Sequence, residues 1–99
     1  MPTERKALLA RLEAKPNKVD EVRKFLESAL PLAEEEDFTI SWYALQIGDT
    51  TFGIFDTAAD DDGRQAHLDG DIAAALMEKA DDLLSEPPTI EHVEVLAHK

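Results

Sequence analysis

Ninety-nine residues with a net charge of −12 and no cysteine define one small domain, over 1–99, with a single core. The charge speaks against nucleic acid and anionic membrane surfaces as partners, and the missing thiols rule out disulfides, thiolate metal sites and cysteine nucleophiles. Hydrophobic residues at 43% and charged residues at 32% are the balance of a globular chain, not a disordered one.

In chain order, "MPTERKALLARLEAK" is charged and patterned from the start, with no signal peptide expected, and a cytoplasmic location follows as an expectation. Residues 5–14 alternate loosely, with Leu8, Ala10, Leu12 and Ala14 on one side and Ala7 and Leu9 on the other. That pattern predicts a strand covered on both faces. After "KPNK", the apolar spacing changes to period 3.6 through Val19, Val22, Phe25, Leu26, Ala29, Leu30 and Ala33. An amphipathic helix is expected over 18–35, capped by Asn17 and kinked at Pro31. The acids at 34–37 sit where the helix dipole is unfavourable and read as a solvated exit.

"FTISWYALQI" at 38–47 reads as a strand, "GDT" as a turn and "TFGIFDT" at 51–57 as the returning strand of a hairpin. Gly53 weakens that strand unless another group must approach its backbone closely. A helix is predicted over 71–84, with Ala73, Leu76, Met77, Ala80 and Leu84 on one side. "EPP" ends it, and the last strand begins at Thr89.

The order β-α-β-β-α-β predicts an α+β, ferredoxin-like fold with a four-stranded antiparallel sheet. Helices can cover one sheet face only, yet the first three strands are apolar on both. A homodimer packed sheet to sheet is therefore expected.

The stretch "DDDGRQAHLDGD" at 60–71 holds five aspartates, Arg64 and His67. It lacks the alternate acids and terminal Glu of a calcium loop, and His92 and His98 lie too far apart on a strand to share an ion. No metal site is expected. No serine has a nucleophile-elbow context and no glycine-rich phosphate cradle is present. What remains is an apolar pocket walled by aromatic residues, with few polar groups. Trp42, Tyr43, Phe52, Phe55 and Met77 can supply its walls. If 61–69 is helical, Arg64 and His67 share a face above it. The alternative is that the aromatics are core, and that Arg64 and His67 are surface groups among acids.

The run "DFTISWYALQIGDTTFGIFDT" followed by "GRQAHLDGDIAAALMEKADDLL" and "EPPTIEHVEVL" resembles the antibiotic biosynthesis monooxygenase family, which includes small quinol monooxygenases. The resemblance spans nearly the whole chain and is most specific over 55–77. It implies a dimeric α/β barrel of two ferredoxin-like sheets. It also implies oxidation of a small aromatic, phenolic or quinol substrate by O₂ without metal, flavin or other cofactor. Residue by residue, it makes His67 the catalytic histidine and places Trp42 at an aromatic position usually held by Tyr. His67 is then expected to act as base from an apolar cleft, with the aspartates of 60–71 pointing outward and Arg64 or the Trp42 Nε1–H holding the developing oxyanion. Arg64, Phe55 and Met77 join Trp42 as the expected substrate contacts. The Asn and Trp of the haem-degrading branch are here Ala10 and Thr57, so the resemblance does not extend to haem. The Glu–aromatic pair that ends the third strand is Asp56–Thr57, and the Gly that opens the second strand is Phe38. A reading from another class stands beside the enzyme: a non-catalytic dimer that binds a small hydrophobic ligand.

Overall fold

The structure is a computed structural model and describes residues 4–99. Eight elements follow in order: β1 Lys6–Glu13, α1 Val19–Ser28, α2 Leu30–Glu34, β2 Ser41–Gln46, β3 Thr51–Ala58, α3 Asp61–Leu68, α4 Asp71–Leu83 and β4 Thr89–Glu94. The sheet order is β2-β3-β1-β4, antiparallel throughout, as the ferredoxin-like topology requires. β1 is a central strand between β3 and β4; Leu8, Ala10 and Leu12 are buried on its helix-covered face, while Leu9 on the other face is half-buried.

Register decides which side chains meet the helices. Across the ladders Leu12 faces Phe52, Ala10 faces Ile54 and Leu8 faces Asp56, while Trp42 also faces Asp56. One row is thus Leu12–Phe52, Ala10–Ile54 and their neighbours, packed against Val22 and Leu26 of α1 and Leu76, Ala80 and Leu83 of α4. A second cluster joins Ala29, Ala33 and Ile72, and Trp42 packs against both.

The helix expected over 18–35 is divided at Ala29. Pro31 lies in the first turn of α2, where its missing N–H would otherwise have bonded the carbonyl four residues back. Lys18, not Asn17, is the N-cap of α1, with no side-chain capping bond. β2 is shorter than the predicted 38–47 because residues 36–40 form turns, with the Thr39 N–H donating to the Glu36 carbonyl. On α4 the buried stripe is Ile72, Leu76, Ala80 and Leu83. Met77, one position round from Leu76, is 59% exposed.

The other face of the sheet is bare of helices. Tyr43, Leu45 and Ile47 stand exposed on it, and Tyr43 stacks on Phe55 with ring centroids 6.4 Å apart. A methyl group on Gly53 would lie 3.2 Å from the Ala10 carbonyl oxygen and from Ile47 Cδ1. A close approach is therefore what that strand glycine permits.

Candidate functional site

α3 is positioned by its own sequence. The Asp60 carboxylate accepts from the Gly63 N–H at 2.8 Å, and Asp61 and Asp62 occupy the first turn, where negative charge favours the helix dipole. Arg64 and His67 then project inward at helical spacing, but to different places. The Arg64 guanidinium donates to the Val93 carbonyl at 3.2 Å and to Asp61 at 3.1 Å, so it fastens α3 to the β4 edge.

His67 is 6% exposed and turns under the helix. Its Nδ1 lies 2.8 Å from Glu36 Oε1 and its Nε2 lies 3.0 Å from Asp56 Oδ2. Both carboxylates are themselves buried. The Thr39 hydroxyl donates to the same Glu36 oxygen at 2.8 Å. Burial pulls the His67 pKa down, but hydrogen bonds to and charges on Asp56, and then Glu36, outweigh it and raise the pKa above 6.5. Each ring nitrogen thus faces a carboxylate, an arrangement that favours the protonated ring. The aspartates of 60–71 do point away, as a useful inward His67 demands. What receives the ring is two other acids, not an apolar cleft.

Glu36 and Asp56 are the partners of His67 that sequence reasoning missed. For Asp56 the signal was present: it follows Phe52 and Ile54 on one alternating strand face, so an acid was aimed at the core and needed a partner. Glu36 gave no such signal within "EEED". The turns at 36–40 carry it to His67, and Gly70 lets it fit. A methyl group there would lie 3.1 Å from Glu36 Oε2.

A surface depression of about 370 Å³ opens beside this array, between α2 and β2, lined by Leu30, Ala33, Glu36, Thr39, Ile40 and Trp42, with Glu34 at its side. Among the described residues, Trp42 Nε1 is the buried side-chain donor or acceptor with no hydrogen-bond partner, and such a donor is costly to leave unpaired. Of the predicted site residues, His67 and Trp42 are brought together, both against Asp56. Phe55 lies on the opposite sheet face. Arg64 is committed at β4, and Met77 lines a larger depression of about 560 Å³ with Lys15, Pro87 and Pro88. That depression has no comparable buried array, so it is not the candidate site. Among the described residues no group of three His, Asp or Glu has metal-holding geometry.

Solved structures share this architecture. A protein named as a candidate antibiotic biosynthesis monooxygenase from Nitrosomonas europaea superimposes with a TM-score of 0.82 at 14% identity, covering 97% of this chain and 94% of that one. Another from Caulobacter crescentus gives 0.78 at 17% identity, covering 97% and 93%. These likenesses establish the fold class: a ferredoxin-like four-stranded antiparallel sheet shared with those structures. A protein of unknown function from Nitrosomonas europaea is 56% identical, with a TM-score of 0.96 over 100% of this chain and 96% of that one. The chain belongs to the same family as that protein. No family model matches the chain, and comparison with curated proteins gives no match.

Proposed function

We propose that the protein is a cofactor-independent monooxygenase for a small phenolic or quinol-type ring bound in the depression between α2 and β2. The observation that carries this reading is the Glu36–His67–Asp56 array, which reaches the depression through Glu36. A phenol reacts with O₂ only after it becomes an anion that can give up an electron. The overall change is balanced without a further reductant: phenol plus O₂ gives quinone plus water, one oxygen atom entering the ring and the other leaving as water.

In this scheme Glu36 accepts the ring hydroxyl proton. His67, held from behind by Asp56, remains an imidazolium and stabilises the phenolate by charge. The catalytic role of His67 is therefore electrostatic, since both its nitrogens are occupied and neither is free to act as base. The Trp42 indole walls the ring. Arg64, Phe55 and Met77 lie outside this site.

The second reading, a non-catalytic binder of small hydrophobic ligands, is favoured by the same full occupancy of His67. O₂ uptake with a panel of dihydroquinones and phenols separates the two. The enzyme reading predicts turnover that Glu36→Gln and His67→Gln each reduce about 100-fold, the scale of a lost acid–base or charge contribution. Saturable quenching of Trp42 fluorescence with no turnover would establish the binder instead.

A further inference from the structure

This inference rests on the reading above, that the depression beside Trp42 is the ligand site. Its lining is lopsided in charge. Glu34 and Glu36 contribute carboxylates, whereas no Lys or Arg lines it. Behind Glu36, the His67 ring is faced by two carboxylates and by no second cation. Of the two cations on the nearby α1, Arg23 is paired with Asp20 at 2.8 Å and lines a separate depression with Gln46, and Lys24 does not line this one.

The rest of the wall is Leu30, Ala33, Thr39, Ile40 and Trp42. A tryptophan face is the aromatic surface best suited to a cation. An anionic substituent would have to approach two carboxylates with no cation lining the depression to offset them. The net charge of −12 opposes it at longer range as well.

We infer that the depression sorts ligands by charge: it takes a phenolic ring without an anionic substituent, prefers one bearing a protonated amine, and rejects the carboxylated counterpart. Glu34 sets this selectivity from the rim, since it lines the depression and is exposed.

The test uses three dihydroxybenzenes of similar size: one unsubstituted, one with an aminomethyl group and one with a carboxylate. Binding is read from quenching of Trp42, the one tryptophan in the chain. Like and unlike charges across a solvent-exposed rim separate affinities by about tenfold at low salt. The expected order is therefore aminomethyl, then unsubstituted, then carboxylate, with about tenfold between neighbours. Glu34→Gln should reduce that spread about threefold while far-UV circular dichroism stays unchanged. Added salt should compress it further. If the carboxylate quenches as well as the unsubstituted ring, the inference is overturned and the site stands. If none of the three quenches, the site itself is overturned, and the inference with it.

Discussion

At the scale of single residues, His67 ties three parts of the chain together: α3 through its own backbone, β3 through Asp56 and the 36–40 turns through Glu36. Its folded pKa is raised above the ordinary 6.5, so folding takes up a proton there. The stabilisation is complete below the unfolded pKa and is lost as pH rises through the folded value. Stability should therefore fall as pH rises from about 6.5 through the folded value, and urea midpoints at a series of pH values check this. An NMR titration gives the site directly: the His67 ring should titrate above 6.5, and Glu36→Gln should move its midpoint down. A wild-type His67 midpoint at or below 6.5 would refute the doubly bonded imidazolium. Removing the ring is a different perturbation. His67→Gln leaves Glu36 and Asp56 buried without a cation, a loss on the order of 3–5 kcal/mol.

Gly70 makes a second residue-scale prediction. Its backbone is extended, at φ −87° and ψ −176°, so alanine is conformationally acceptable there. The obstacle is contact: the added methyl would lie 3.1 Å from Glu36 Oε2 and 3.3 Å from the carbonyls of Ala66 and His67. Two of those three neighbours are backbone and cannot swing aside. Gly70→Ala should therefore cost about 1–3 kcal/mol, the range for overpacking, measured by thermal or urea unfolding. A stabilised variant would show that the methyl has room.

Among the elements, the strands and α4 could be read from apolar period alone, because each presents one face to a shared core. α3 is open in the sequence, where 61–69 is helical only as a condition. The local signal for it is Asp60, three residues before Gly63, and that N-cap bond is present at 2.8 Å. Asp60→Ala should accordingly cost about 1 kcal/mol and Asp60→Asn much less; equal effects would mean that the cap contributes nothing. What stayed illegible lies where the chain is irregular. Residues 36–40 have no period, so the late start of β2 could not be placed. Glu36 consequently read as a solvated acid. Met77 was misassigned by one helical step, since Leu76 and Met77 are both apolar and only packing chooses between them. Phe55 shows the limit on a strand that is apolar on both faces. Composition says that it is covered but not on which side, and the register opposite Tyr43 turns it away from the helices.

For the molecule as a whole, the open sheet face is the feature the fold leaves unpartnered. Tyr43 is 55% and Ile47 47% exposed, with Leu45 between them, and the stacked Phe55 extends the patch. Charge works against self-association, because two copies carry −12 each, while burial of this face works for it. A stable interface takes roughly 800 Å² from each partner, about an eighth of the 6222 Å² that the chain exposes, and a four-stranded face can supply that area. The proposed dimer, sheet against sheet, should therefore tighten as salt rises, since screening removes repulsion but leaves apolar burial intact. Light scattering at micromolar concentration should report twice the 11.0 kDa of one chain. Leu45→Lys and Tyr43→Lys should each return the single-chain mass with unchanged far-UV circular dichroism, because both side chains leave the helix-covered core untouched. A single-chain mass for the wild type at high salt would defeat the dimer. A dimer that survives both lysine substitutions would move the interface to another surface.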